Sequence, residues 1–99
     1  MARFDLHRVK GIPGYFLDCQ ADVLNHLNTR VVVPVRPPEI APKPGARLNP
    51  RFEIGGKAHI MVTQFASAMP VGELGPVVDS MAHEQDRIMA ALDMLLTGF

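Results

Sequence analysis

The end of the sequence constrains the fold more than any other stretch, because the pattern of residues 83–99 predicts one amphipathic helix. Apolar side chains recur at the spacings that place them on one face of a helix. This stripe consists of Met81, Ile88, Leu92, Leu95 and Phe99. We expect Asp79 or Ser80 to cap the helix, since both side chains accept hydrogen bonds from unpaired backbone N–H groups. The pattern leaves open whether the last apolar residues pack in a core or dimer seam, or are presented to a partner.

The rest of the chain consists of short apolar stretches separated by glycine and proline. Polar and apolar side chains alternate in residues 2–9, which is typical of a half-buried strand. Four further strands are predicted at residues 15–20, 30–35, 51–54 and 57–64, and a single helical turn or loop at residues 22–28. The Gly55-Gly56 pair predicts a hairpin turn. Pro34 has no N–H group, so we expect it at a sheet edge or at the end of the strand pairing.

The remaining segments predict connections between these elements. Residues 36–45 contain four prolines and cannot form a regular element. We expect residues 66–70 to end the sheet region and residues 71–76 to form a loop. The complete pattern predicts an α+β, mainly β, fold in which antiparallel strands form a small barrel or sandwich closed by one helix. A chain of 99 residues has room for one core, which predicts a single domain over residues 1–99.

Composition excludes several classes of function. Ten basic and ten acidic residues cancel, so the chain has no strongly basic surface and we expect no direct binding to nucleic acid. Cys19 is the only cysteine; we expect an inert buried thiol and a reducing, cytoplasmic setting. The sequence contains neither a signal peptide nor an apolar run long enough to span a bilayer, so we expect no membrane association.

The sequence predicts no catalytic, metal or cofactor site. His83, Glu84 and Asp86 supply too few ligands on one helix face for a metal, and acidic residues are common in a first helical turn. The other histidines are dispersed, and Gly55-Gly56-Lys57 lacks the frame of a phosphate-binding loop. From the residues alone, the chain is expected to be a binding domain and not an enzyme.

Several segments resemble the CcdB family of toxins in their order and approximate spacing. Residues 16–24, Phe-Leu-Asp-Cys-Gln-Ala-Asp-Val-Leu, are similar to the family's second-strand segment, and residues 30–35, Arg-Val-Val-Val-Pro-Val, to its strand ending in proline. The other matching segments are Leu48-Asn49-Pro50, Ile54-Gly55, Met61-Val62-Thr63, Ala66-Ser67, Pro70-Val71 and the helix that begins near His83-Glu84. The resemblance extends over essentially the whole chain.

The resemblance implies a fold, partners and a mode of action. The implied fold is an SH3-like barrel of antiparallel strands with a small extra sheet and a C-terminal helix, assembled as a homodimer. CcdB toxins of type II toxin–antitoxin systems bind the A subunit of DNA gyrase and trap the cleaved gyrase–DNA complex. A CcdA antitoxin folds onto the toxin, neutralises it and joins it in repressing their operon. These toxins are not enzymes, and the resemblance implies no cofactor.

The resemblance also implies a gyrase-binding set at the end of the helix and on one loop. Its members are Val23, Leu24, Asp93, Leu96, Thr97, Gly98 and Phe99. The family typically ends in Trp-Gly-Ile; here Thr97 replaces the tryptophan, Gly98 is kept and Phe99 is again apolar. Asp93 stands at the position of an asparagine and Leu96 at that of an aromatic residue. Loss of a central tryptophan removes about 2–4 kcal/mol from an interface.

The first-hairpin region lies near the antitoxin site in the family. The residues implied there are Arg8, Lys10, Gly11, Ile12, Pro13 and Gly14. Arg8, Lys10 and Arg47 carry charges that suit an acidic antitoxin segment, or else form ordinary solvated surface. The loop itself is equally consistent with a plain connection between two strands.

Two alternatives remain beside a gyrase poison. One is an attenuated CcdB homologue that acts mainly in antitoxin binding and operon regulation. The other is an endoribonuclease of the MazF type, which shares the barrel; the neutral charge of the chain argues against it.

Overall fold

The computed structural model describes residues 2–99, which form seven strands, one α-helix and five short 3₁₀ turns. The strands are β1 (Asp5–His7), β2 (Tyr15–Asp18), β3 (Thr29–Arg36), β4 (Arg51–Ile54), β5 (Lys57–Met61), β6 (Ser67–Pro70) and β7 (Val77–Ser80), and the helix is α1 (Gln85–Thr97). The 3₁₀ turns span Asp22–Leu24, Pro38–Ile40, Thr63–Phe65, Val71–Glu73 and Ala82–Glu84. The predicted β4 has the observed bounds; the other predicted strands differ from the observed ones at their ends.

The strands form one antiparallel sheet in the order β4-β5-β3-β2-β1-β7, and β6 branches from β3. The predicted hairpins β1–β2 and β4–β5 are both present. Gly55 and Gly56 have positive φ angles of 60° and 77°, as the tight turn requires. The expected α+β, mainly β, class with a barrel-like antiparallel sheet and a C-terminal helix is confirmed.

The central strand β3 pairs with three neighbours, and Pro34 lies where one of them replaces another. On one side β3 pairs with β2 from Val32 to Val35. On the other side it pairs with β6 as far as Val32 and with β5 from Val35 onward. The Pro34 carbonyl accepts a 2.8 Å bond from the Val62 N–H group between these partners. Of the two expected positions, Pro34 therefore does not lie at an outer edge of the sheet but at the end of a strand pairing, between the β6 and β5 ladders, where no N–H group is needed.

The core lies between the curved sheet and the first half of α1. It is formed by Phe4, Leu6, Leu17, Cys19, Val33, Val35, Phe52, Ile54, Met61, Met81, Ile88 and Ala91. Both the sheet and α1 contribute side chains to this cluster. From α1 only Ile88 and Ala91 are fully buried. The predicted apolar stripe therefore packs at its beginning and becomes exposed toward its end, where Leu95 is 39% accessible.

Two predictions about the segments before α1 were wrong. Residues 67–70 do not end the sheet but form β6, and residues 77–80 form β7 at the sheet edge beside β1. Most side chains of β6 and all those of β7 are exposed, so neither strand shows the alternation that marks a half-buried strand. Asp79 and Ser80 consequently lie in a strand. The α1 N-cap is Glu84, without a side-chain cap, while Ser80 Oγ accepts from the N–H group of Ala82 at 3.3 Å.

Within residues 2–99, no helix has the length and apolar character that crossing a membrane requires.

Candidate partner-binding surface

The first half of α1 is fixed to the sheet, whereas its last turn is not packed. Ile88 is completely buried, and the Arg87 guanidinium lies 4.7 Å from the centre of the Phe52 ring while donating a 2.7 Å bond to the Arg51 carbonyl. The last turn carries Leu96, which is 77% exposed. The helix thus presents apolar side chains to the exterior at its C-terminal end.

An apolar groove of about 480 Å³ runs between α1, the loop of residues 21–28 and strand β3. Its apolar lining is Leu24, Leu27, Val31, Met89, Leu92 and Leu96, and its other lining residues are Arg3, Cys19, Gln20, Ala21, Thr29 and Asp93. We call it the apolar groove. Concave sites lined mainly by apolar side chains with a few polar groups at the rim are typical of binding surfaces.

Three of the seven predicted gyrase-binding residues line the apolar groove: Leu24, Asp93 and Leu96. Val23 lies next to it on the loop and is 82% exposed. These residues are distant in sequence, so the fold brings the loop and the helix end into one surface.

The other three predicted residues occupy the end of α1 outside the groove. The Thr97 hydroxyl donates a 2.7 Å bond to the Asp93 carbonyl in the preceding turn. Gly98 adopts a left-handed conformation with φ 81° and closes the helix through its N–H bond to the Met94 carbonyl. Phe99 is 78% exposed, and its main-chain oxygen accepts a bond from Arg47. Phe99 therefore presents an open ring while its backbone is tied to another loop.

A buried ion pair supports the loop of residues 21–28. Arg30 and Asp18 are 1% and 0% exposed, and Arg30 Nε donates a 2.8 Å bond to Asp18 Oδ2. Arg30 Nη2 lies 2.7 Å from the same oxygen without the alignment of a hydrogen bond, so that contact is electrostatic. Arg30 Nη1 donates to Asn25 Oδ1 in the loop. The guanidinium thereby joins the sheet interior to the loop.

Gln20 provides the second connection between the sheet and this loop. Its amide nitrogen donates a 3.0 Å bond to the Leu24 carbonyl, and its amide oxygen accepts a 3.1 Å bond from the Val31 N–H group. The Gln20 N–H group donates to Asp18 Oδ1 at 3.0 Å. A loop without sheet or α-helical hydrogen bonding is thus positioned by side chains that are themselves buried.

Cys19 lies at the base of the apolar groove and is 7% exposed. Burial, with a smaller contribution from the Asp18 carboxylate, raises the pKa of the Cys19 thiol to about 12, against a weak opposing effect of Arg3. The thiol is therefore protonated at neutral pH and unreactive. The expectation that this thiol is buried is confirmed.

The predicted antitoxin-binding residues form a different surface. None of Arg8, Lys10, Gly11, Ile12, Pro13 and Gly14 lines the apolar groove. Gly14 is buried with φ 85°, and a Cβ there would lie 2.3 Å from the Val35 carbonyl oxygen, so only glycine fits. Arg8 donates a 3.3 Å bond to the Gly14 carbonyl and lies 4.7 Å from the centre of the Tyr15 ring. Residues 10–13 are exposed.

No group of three or more histidine, cysteine, aspartate or glutamate side chains suited to a metal occurs in the part of the chain from residue 2 to residue 99. His83 and Glu84 belong to the 3₁₀ turn before α1.

The sequence model of the family described as CcdB protein matches residues 3–98. The chain belongs to the CcdB family. Its fold is also similar to that of an endoribonuclease in complex with its cognate antitoxin from mycobacterial species. The TM-score is 0.74 at 15% sequence identity, with 97% of this chain and 94% of that chain covered. At this identity the likeness establishes a shared fold.

Several residues of the surface of this CcdB-family protein were not singled out from the sequence. Leu27, Val31 and Met89 line the apolar groove. Val31 is the outward-facing residue between two buried ones, and Met89 lies on the same helix face as Leu92 and Leu96. Met89, Leu92 and Leu96 thus form a second apolar row on α1, which shares Leu92 with the predicted stripe and was not identified from the sequence.

Proposed function

We propose that this CcdB-family protein is the toxin of a toxin–antitoxin pair and that its target is the A subunit of DNA gyrase. It acts by binding and not by catalysis: it traps gyrase in the cleaved complex with DNA. The observation that carries the proposal is the apolar groove between the loop of residues 21–28 and the end of α1, lined by Leu24 and by Leu96, which is 77% exposed. Exposed large apolar side chains gathered around a groove mark a site for a protein partner.

The energetics of this surface suit a protein interface. Burial of one such side chain contributes roughly 1.5–3 kcal/mol, so a few of them supply much of the binding energy of a complex. Leu24 and Leu96 stand on different walls of the apolar groove, which suits an inserted partner side chain. Asp93 at the rim can accept hydrogen bonds from the partner. Thr97 supplies less apolar area than the family tryptophan, and we infer that it weakens the complex.

The proposal includes the protein's other partners. A CcdA-like antitoxin neutralises the toxin by docking at the hairpin loop formed by Arg8 and residues 10–14. Two copies of the chain form a homodimer, and gyrase places the site of action in the cytoplasm. The toxin alone does not bind nucleic acid, in keeping with the balance of its charges.

The decisive experiment is expression in a gyrase-sensitive bacterium and in a strain whose gyrase is altered at the toxin's docking site. We expect growth arrest in the first strain only. Thr97→Trp restores the family anchor and is expected to increase toxicity, while Gln85→Trp, in the exposed first turn of α1, serves as the matched control. Arrest that persists in the resistant strain would refute gyrase as the target.

Two alternatives are separated by assays on the purified protein. An attenuated family member would bind its antitoxin yet leave gyrase supercoiling unaffected. The shared fold with an endoribonuclease motivates a test of RNA cleavage. Degradation of RNA that is abolished by the antitoxin would replace the gyrase proposal with an enzymatic one.

A further inference from the structure

A second cavity uses the loop of residues 21–28 as a wall and differs in character from the apolar groove. It has a volume of about 350 Å³ and is lined by Asn25, His26, Leu27, Asn28, Arg30 and Val71. We call it the loop pocket. Leu27 also lines the apolar groove, so the two cavities share part of one wall. The Val71 N–H group donates a 3.0 Å bond to the Asn28 carbonyl, which joins the loop to the end of β6 at this pocket.

Arg30 brings a buried cation with an unused donor to the loop pocket. The residue is 1% exposed, and its Nε and Nη1 groups donate to Asp18 and Asn25. Its Nη2 group is buried and has no hydrogen-bond partner among residues 2–99. A buried donor without an acceptor is costly, so such groups are usually satisfied by water or by a ligand. An oxygen atom bound in the pocket beside Arg30 would supply the missing acceptor.

The other polar side chains of the loop pocket also offer donors. Because a guanidinium can only donate, the Asn25 side-chain oxygen faces Arg30, and the Asn25 NH₂ group remains for a ligand. The Asn28 amide and the His26 imidazole add further N–H groups, and both residues are exposed. Within residues 2–99, no aspartate or glutamate lines the pocket. This set of donors suits a ligand that carries oxygen acceptors.

The charge balance around the loop pocket favours a carboxylate over a phosphate. Asp18 Oδ2 lies 2.7 Å from Arg30 Nη2 and offsets part of the guanidinium charge, so a doubly charged anion would be poorly compensated. A carboxylate carries one charge, and its two oxygens match the planar N–H groups of guanidinium and amide side chains. Leu27 and Val71 provide apolar contacts for a short hydrocarbon chain. The pocket volume is near the lower end of the range for small-molecule sites, roughly 300–1,000 Å³.

We propose that the loop pocket binds a small aliphatic monocarboxylate. Arg30, Asn25 and Asn28 bind its carboxylate group through their N–H donors. The hydrocarbon chain packs against Leu27 and Val71. The ligand therefore lies against the loop that forms one wall of the apolar groove. The proposal rests on the pocket alone and holds whether or not gyrase is the target of the protein.

The direct test is a titration of the isotope-labelled protein with sodium butyrate, followed by nuclear magnetic resonance, with sodium chloride as the reference at equal ionic strength. We expect saturable shifts of the backbone amide signals of residues 25–28 and of the Arg30 side-chain signal. The expected dissociation constant is in the millimolar range, as is usual for so small a ligand. Equal shifts with chloride, or a response that does not saturate, would overturn the proposal.

Two substitutions locate the site. Asn28→Asp exchanges an amide donor for a carboxylate of the same shape, which repels the ligand, and we expect butyrate to bind about tenfold more weakly or not at all. Gln85→Glu is the matched control, because it makes the same change at an exposed position that does not line the pocket. Val71→Phe fills the pocket and should abolish binding, whereas Val78→Phe, on exposed β7, should leave it unchanged. Circular dichroism spectra verify that each variant is folded. Equal binding of butyrate by wild type and all four variants would place the site elsewhere and overturn the proposal.

Three further probes test the class of ligand. Butyramide has the shape of butyrate without its charge, and inorganic phosphate has charge without the hydrocarbon chain; we expect butyrate to bind more tightly than either. Equal binding of butyramide, or tighter binding of phosphate, would refute the assignment to a carboxylate. The peptide acetyl-Gly-Glu-Gly-amide presents a carboxylate as a protein partner would. Tighter binding of this peptide than of butyrate would assign the loop pocket to a protein and overturn the proposal of a small molecule.

Discussion

The two walls of the apolar groove are held in place by opposite means. The loop of residues 21–28 has little regular structure, yet it is tied to the sheet by buried side chains of Arg30 and Gln20. The last turn of α1 has regular helical structure, yet its side chains are largely exposed and its end is held by Gly98 and by the bond from Arg47 to Phe99. Regular secondary structure and firm attachment are therefore separate properties in this molecule. We expect the loop wall to be the rigid one and the helix wall to be the one that adapts to a partner.

The largest expected effect comes from breaking the ion pair under the loop. Asp18→Asn leaves the Arg30 guanidinium buried without its counter-charge, which is expected to cost about 3–5 kcal/mol of unfolding free energy. Urea denaturation measures this loss. The double variant Asp18→Leu with Arg30→Met removes both charges and should recover a large part of it. A loss below about 1 kcal/mol for Asp18→Asn would contradict the role assigned to the pair.

The next effect tests where α1 is anchored. Ile88→Ala removes a fully buried side chain, and a decrease of about 2–5 kcal/mol in the free energy of unfolding is expected. Leu95→Ala, further along the same stripe on the exposed part of the helix, is the matched variant and should cost clearly less. Thermal and urea unfolding of both proteins provide the comparison; equal losses would mean that the whole helix is anchored.

A smaller effect is expected at the end of α1. Gly98→Ala forces a residue with a Cβ into the left-handed conformation, at a cost of about 1–2 kcal/mol or a fraying of the last turn. A Cβ at Gly98 meets no atom within 4 Å, so the cost is conformational and not steric. Gly72→Ala is the control, since Gly72 also has open space but no positive φ. Far-ultraviolet circular dichroism and unfolding free energies should distinguish the two variants.

The exposed apolar residues are expected to matter for binding and hardly for stability. Val23→Ala and Leu96→Ala should change the unfolding free energy by no more than about 0.5 kcal/mol. Under the proposed function, each should weaken binding to gyrase by about 1–2 kcal/mol, roughly five- to thirtyfold. Calorimetric titration provides this measurement. A large loss of stability would show instead that these side chains are structural.

Ionisation of the Cys19 thiol is expected to change stability only at alkaline pH, and chemical labelling of this thiol can be used to follow opening of the loop of residues 21–28. Because the pKa of Cys19 is about 12 in the folded protein and the ordinary value for a thiol is 9.0, the unfolded chain loses the proton first as pH rises. The contribution of this group to stability is therefore fully present below about pH 9 and is lost as pH rises toward 12. Comparison of wild type with Cys19→Ala over that range isolates the effect. At pH 8, faster labelling of Cys19 in Asp18→Asn than in wild type would indicate that the loop opens.

The features predicted correctly from the sequence are those whose cause is local. Gly55-Gly56 requires a turn wherever the chain is placed, and the alternating residues of β4 have one buried face, formed by Phe52 and Ile54. The alternation around Leu6 was only partly correct, because His7 is buried as well. Strands β6 and β7 were missed because their pairing is decided by the backbone of β3 and β1, while their own side chains are exposed. The same limit applies to the site. The resemblance located Leu24 and Leu96, but only the fold shows that Val31 and Met89 line the same groove.

The position of β3 has a consequence for how fast the chain folds. This strand must pair with β2, which precedes it, and with β5 and β6, which follow it. In addition, β1 must pair with β7, which places Asp5 opposite Ser80. Contacts so distant in sequence require large loops to close before they contribute any stability, and domains of this kind typically fold in milliseconds to seconds. We therefore expect newly made chains to pass through a period in which the strands that flank β3 have not yet paired with it. An antitoxin that binds the first hairpin during that interval would meet the toxin before its target does.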